Sequence, residues 1–257
     1  MNKFKIAWLF PDTLYLHGER GNLLAMQRIA AFAGLTAEID KVDFETEGFD
    51  PGDYDMIYCP PGEVSSFPQV IKWLKPYKEK LASFIEEGKI LLTTGTSVAL
   101  WTKRITRVTG AEPAVIEGLG ILNVDTVERE EVYGDDNYFT CTYNGEEIEI
   151  IGNQIQMVDF ENKGEKPFGY LNYGFGNNGK NREEGYVKNN SIFTNTLAPM
   201  LVANPKLTKE LVLVIARNKG YDIDVLEFNV DMEIEDMSFE TKKEFILTKV
   251  TRLTNCK

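Results

Sequence analysis

Residues 88–103 of the chain, GKILLTTGTSVALWTK, constrain its architecture more than any other stretch. Ile90, Leu91 and Leu92 have the length and flanks of a buried strand, Thr94, Gly95 and Thr96 read as a tight corner, and Ser97, Ala99, Leu100 and Trp101 carry a helical run. Strand, corner and helix describe a nucleophile elbow. Such an elbow holds one side chain at its apex, above the C-terminal edge of a sheet and beside free backbone N–H groups that can stabilise an oxyanion. The apex residue in that reading is Thr94. The same letters also fit an ordinary buried strand and βα turn, so the stretch fixes architecture before it fixes chemistry.

Ahead of it, strand and helix alternate. Phe4 to Phe10 reads as a strand, the polar turn PDTLYLHGERG follows, and Asn22 is placed to cap a helix with Leu23, Met26, Ala30 and Ala33 at helical spacing until Gly34. A second strand over residues 37–44, a turn at Pro51 and Gly52, and a third strand from Met56 to Cys59 lead into the stiff loop PPGE. Pro68 opens a helix, Pro76 restarts it, and Leu81, Phe84 and Ile85 carry its apolar face to Gly88. The order β-α-β-β-α-β-α implies an α/β fold with a mostly parallel sheet covered on both faces. Ligands then sit in the crevice beyond the carboxyl ends of the strands, among residues 17–22, 60–63 and 94–96.

The 257 residues suffice for a sizeable core. A net charge of -12 argues against non-specific nucleic-acid or anionic-lipid binding, which needs a basic face. The opening MNKFKIAWLF is too short to span a membrane and reads as a first strand, which places the protein in the cytoplasm. Cys59, Cys141 and Cys256 are far apart and in no metal-ligand spacing, so neither a disulfide framework nor a metal site is indicated. There is a single histidine, His17, which limits hydrolytic chemistry.

From Gly118 the texture becomes β-rich, in short runs separated by Gly, Asn and Asp. Asn144 and Gly145 in YNGEE suit a type I′ hairpin turn. GFGNNG, residues 174–179, matches GxGxxG but precedes KNREEG, not an apolar helix; it reads as a surface loop, and no cofactor is implied. Asn204 and Pro205 start a helix to Asn218 with Leu211, Val214 and Ile215 inward. One domain over residues 1–220 and a C-terminal extension over 221–257 follow, the extension forming an amphipathic helix around Met237, Glu244 and Phe245.

Taken in order, LYLHGERGNLLAMQR, PPGEVSSF, TTGTS, DFENKG, GYLNYGFGNNGKNREEGY and TNTLAPMLVANP resemble the cobyric-acid-synthase-like class I glutamine amidotransferases. The resemblance is nearest to the amidotransferase subunits of lipid II isoglutaminyl synthase. It implies a flavodoxin-like sheet with flanking helices and a β-rich second half. It also implies a synthetase partner resembling the Mur ligases, which activates a carboxylate of the peptidoglycan precursor with ATP. In this family an elbow cysteine attacks the amide of glutamine and a histidine from a later strand-to-helix turn moves the proton. Here the cysteine falls on Thr94, the histidine on Leu197, and the histidine of the FENH segment on Lys163. Pro60 and Pro61 stand where glycines would let the backbone approach a ligand.

Three expectations follow. A protein with this architecture and no dyad acts as a binding or scaffolding subunit without glutaminase activity. A displaced centre, Cys59 with His17, would instead keep amide chemistry. A former glutamine pocket of Gly62, Glu63, Thr94, Gly95 and Thr96 would hold glutamine or another amino acid unreacted. Glu19, Arg20 and Asn22 are expected to fix the first turn and helix start.

Overall fold

The computed structural model describes residues 2–109, 114–222 and 232–255; Cys256 lies outside them. In chain order, β1 (Lys3–Leu9), α1 (Gly21–Phe32), β2 (Thr36–Val42), β3 (Met56–Cys59), α2 (Phe67–Leu74), α3 (Lys78–Glu86) and β4 (Ile90–Thr94) form the first half. Pro68 stands in the first turn of α2, where its missing N–H costs nothing, and Pro76 lies in the short 3-10 turn that separates α2 from α3. β5 (Arg104–Arg107), β6 (Ala114–Glu117), β7 (Val124–Tyr143), β8 (Glu146–Asn162), β9 (Gly169–Tyr173), β10 (Glu183–Glu184), β11 (Tyr186–Lys188) and β12 (Ser191–Thr194) follow, then α4 (Met200–Ala203), α5 (Pro205–Asn218) and α6 (Glu233–Asn255).

One sheet runs β11-β12-β4-β3-β1-β2. Four parallel pairings give the order 2-1-3-4-12, the flavodoxin-like order with its fifth strand supplied from far down the chain, and β11 closes the edge antiparallel. Strands β3, β4 and β12 are buried at every position, as a parallel sheet covered on both faces requires. β1 alternates between the two layers. Phe4 and Ile6 join Met26, Leu211 and Ile215 of α1 and α5, while Ala7 and Leu9 join Phe67, Leu74 and Phe84 of α2 and α3.

The second sheet runs β10-β9-β7-β5-β6, with β8 paired to β7. Its centre is the long β7–β8 hairpin, closed by Asn144 and Gly145 at φ +53 and +85, the left-handed pair of a type I′ turn. Asn204 joins the layers: its side chain bonds the N–H and C=O of Ile151 on β8 and the C=O of Met200. No helix among the described residues is long and apolar enough to cross a membrane.

Three local expectations are corrected. The run after β4 is a seven-residue 3-10 helix (Gly95–Trp101), buried throughout, and not an α-helix. Asn22 does not cap α1, because its side chain is turned inward. The C-terminal helix is present, but Ile246 is its fully buried residue, packed with Phe239 beside Tyr138, Ile151 and Tyr173, while Met237 and Phe245 are 62% and 53% exposed. Lys242 and Lys249 fasten α6 to Asp136 and Asp135 of β7.

Candidate functional site

β12 pairs with β4 in parallel, Thr194 opposite Thr94, so the corner after β4 meets the turn after β12 at the carboxyl edge of the sheet. Thr94 is extended, at φ -118 and ψ 147, and the left-handed residue of the corner is Gly95, at φ +62. The apex is therefore Gly95 and not Thr94. A turn this sharp needs a conformation that a branched residue adopts only at a cost of about 1–3 kcal/mol, and the strand register sends the Thr94 hydroxyl inward instead. That hydroxyl lies 3.3 Å from the Tyr58 hydroxyl.

The position above Gly95 is closed. A Cβ there would stand 2.9 Å from Pro61 Cβ and 3.1 Å from Leu197 Cδ2. Leu197 is 2% exposed, and its backbone is bridged to Asn153 of β8 by N–H···O bonds of 2.9 and 3.3 Å. Gly62 packs against Leu14, and its carbonyl accepts the Thr96 hydroxyl at 2.5 Å. Gly62, Thr94, Gly95 and Thr96 are thus brought together, all buried, while Glu63 points to solvent with Ser65 bonded to its carboxylate. Four cavities of about 360, 280, 510 and 240 Å³ lie elsewhere, three where α6 approaches α1, α4 and α5 and one over Thr140 and Tyr170; residues 62–63 and 94–96 line none of them.

Beneath the corner lies a polar network that the sequence did not announce. Glu19 is 1% exposed; its carboxylate accepts the Ala198 N–H at 3.1 Å and the Asn22 amide at 2.6 Å, with the Tyr58 hydroxyl 3.4 Å away. Asn22 in turn accepts the Leu201 N–H at 2.7 Å and donates to Tyr58 at 2.8 Å. Burial pushes the Glu19 carboxyl up to about 7, against the pull of the bonds from Ala198 and Asn22. Glu19 and Asn22 therefore tie the first turn to the loop carrying Leu197, a longer-range task than fixing a helix start; Arg20 is exposed. Glu184 is a second such group: fully buried, it accepts the Thr194 hydroxyl at 2.9 Å and the Asn195 N–H at 2.8 Å, and burial lifts it to about 7 as well. No sequence signal pointed to Glu184, since Glu-Glu-Gly reads as surface.

Cys59 is fully buried and its thiol is pushed up by that burial, the reverse of what activates a nucleophilic thiolate. Cys141 is likewise buried, its thiol pushed up to about 12 by that burial. His17 is exposed, on left-handed backbone at φ +62, and its ring makes no hydrogen bond among the described residues. Lys163 lies at the surface with its ammonium 3.4 Å from Glu161. The GFGNNG loop is partly an inner buttress: Asn177 is buried, and Gln154 accepts the N–H groups of Phe175 and Gly176.

No family model matches the chain. It is 25% identical over 242 residues to the lipid II isoglutaminyl synthase (glutamine-hydrolyzing) subunit GatD of Staphylococcus aureus strain N315, covering 91% of this chain and 93% of that one. The subunit of the same name from Streptococcus pneumoniae is 25% identical over 258 residues, 95% of this chain and 94% of its own. Among solved structures, PurLQS from Thermotoga maritima superposes with a TM-score of 0.55 at 12% identity, over 85% of this chain and 99% of that one. The sequence likeness to two subunits named for lipid II isoglutaminyl synthase thus runs along nearly the whole chain, and the mixed α/β fold is shared with PurLQS.

Proposed function

We propose that this chain is a glutamine amidotransferase-like subunit that has lost glutaminase activity and serves as a binding or scaffolding subunit beside a Mur-ligase-like synthetase in amidation of the cell-wall precursor. The likeness to two subunits named for lipid II isoglutaminyl synthase supports the setting. The observation that carries the loss of activity is the pair at the crevice, a glycine at the apex and a leucine pressed over it. Glycine offers no nucleophile and leucine no base, and removing even one triad member in a hydrolase leaves only about 10^3 to 10^4-fold catalysis over water. Cys59 and His17 do not replace them: the one is sealed in the core and the other stands in solvent. Closure of the same position also weighs against a pocket that holds glutamine, since Gly62 packs on Leu14 and Gly95 on Pro61 and Leu197, while the hydroxyls of Thr94 and Thr96 are turned to Tyr58 and to the Gly62 carbonyl.

The purified chain, alone and mixed with a Mur-ligase-like synthetase from the same cells, is tested for ammonia release from glutamine and for amidation of lipid II. No ammonia should appear from glutamine, and amidation should proceed with added ammonium but not with glutamine. Glutamine hydrolysis that disappears on Cys59→Ser would overturn the proposal in favour of a displaced centre.

A further inference from the structure

A cleft of about 510 Å³ lies on the outer face of the second sheet, away from the crevice. α6 covers part of that face, where Ile246 and Phe239 pack beside Tyr138, Ile151 and Tyr173. The cleft takes in the adjoining row, where Thr140 of β7 stands opposite Tyr170 of β9. Strand alternation turns Phe139 and Leu171 into the core and leaves Thr140, Thr142, Tyr170 and Asn172 as an outward floor. The Tyr170 ring is 59% exposed and stacks on no other ring among the described residues. Asn172 donates to the Thr140 hydroxyl at 3.1 Å, which leaves the hydroxyl proton and the amide oxygen to meet a ligand. Two cations border this floor. Lys166 is exposed and forms no ion pair among the described residues. Arg182 is held in place by the Leu171 C=O, which accepts from its Nε at 2.7 Å and from its Nη2; Nη1 has no partner among the described residues. The lysines nearby are already engaged, Lys242 and Lys249 by Asp136 and Asp135, Lys243 by Glu149, and Lys206 by the Glu147 C=O. In a chain of net charge -12, two uncommitted cations on one cleft set a local field that favours an anion.

We propose that this cleft binds a saccharide carrying an acidic substituent, a carboxylate or a phosphate. The Tyr170 ring offers a flat apolar surface to the C–H face of a pyranose. The Thr140 and Thr142 hydroxyls both donate and accept, as sugar hydroxyls require, and Glu147, on β8 opposite Thr142, accepts from one more. Lys166 and the Nη1 of Arg182 receive the acid in charge-assisted bonds. The volume falls within the range of small-ligand clefts, on the order of 300–1,000 Å³. A lipid tail would need an apolar floor, and a run of phosphates is ordinarily met by a helix N-terminus or a nest of backbone N–H groups, neither of which a strand supplies. The cleft is apart from Gly95 and Leu197, so it neither needs nor supports the loss of glutaminase activity.

The test is titration of the isotope-labelled full-length chain with glucuronic acid, glucose-1-phosphate, glucose and adenosine monophosphate, followed by amide chemical shifts. An acidic sugar should give saturable shifts centred on residues 140–142 and 169–172, with affinity about tenfold above that of glucose, and the tighter of the two acids identifies the substituent. Lys166→Gln should remove most of that advantage and leave glucose unchanged, while Tyr170→Ala should weaken every sugar by about fivefold. Both side chains are exposed, so neither substitution threatens the fold. Equal affinity for glucose and its acids, shifts that do not saturate or fall elsewhere, or tightest binding by adenosine monophosphate overturns the proposal. So does a Tyr170→Ala variant that binds sugars as the wild type does.

Discussion

Gly95 carries the crevice corner at φ +62, with Pro61 and Leu197 closed over the place a side chain would occupy. Gly95→Ala has both a backbone and a packing cost, and urea unfolding should register a loss of about 1–3 kcal/mol. Thr94 looked like the apex because a hydroxyl beside a corner resembles a weakened nucleophile, yet the glycine in TTGT was the true sign, since it alone takes the left-handed turn freely. The closure itself could not be read, for Pro61 and Leu197 meet at Gly95 from loops far apart in the chain. For the same reason Glu19 and Asn22 looked local: the tyrosine and the two N–H groups that engage them come from β3 and from residues 198–201.

At the scale of elements, proline and glycine grammar located most boundaries well. Strand β3 lies where Met56 and Cys59 bracket it, α2 and α3 divide around Pro76, and the β7–β8 turn is the Asn-Gly pair. The 3-10 helix after β4 escaped because GTSVALW is only seven residues long and its apolar residues are consecutive, so no period distinguishes a 3-10 from an α-helical run. In α6 the polar and apolar residues are mixed around the axis, and its inner face is set by the acidic residues of β7 that receive its lysines. Asn204 is the joint between helix and hairpin. Asn204→Ala leaves the Ile151 N–H and C=O buried without their partner, and chemical denaturation should show a loss of about 2–4 kcal/mol, larger than for an exposed asparagine such as Asn181.

For the molecule as a whole, the mostly parallel sheet followed from alternation of strand and helix and the β-rich second half from its Gly, Asn and Asp punctuation, whereas the flavodoxin-like strand order came only with the family resemblance. The two internal carboxylates did not, because burial of a glutamate is a property of the assembled layers. Their effect on stability has a definite sign. Each group rises from 4.5 when free to about 7 when folded, so its neutral form favours the native state fully below pH 4.5 and that contribution is lost as pH climbs through 7. Unfolding free energy measured in urea should therefore fall between pH 5.5 and 8 by about 2 kcal/mol per carboxylate, and the fall should shrink in Glu19→Gln.

The neighbour of β4 arrives late: Leu91 and the Ser191 hydroxyl that its N–H bonds are 100 residues apart. During synthesis the strand that ends at the corner is made with one flank unpaired, and the whole hairpin sheet must be threaded before β12 can dock beside it. An apolar rim left open over that interval invites pairing with other nascent chains. Assembly should accordingly be slow and limited by this single long-range closure, and fragments ending before residue 190 should precipitate where the full chain stays dispersed.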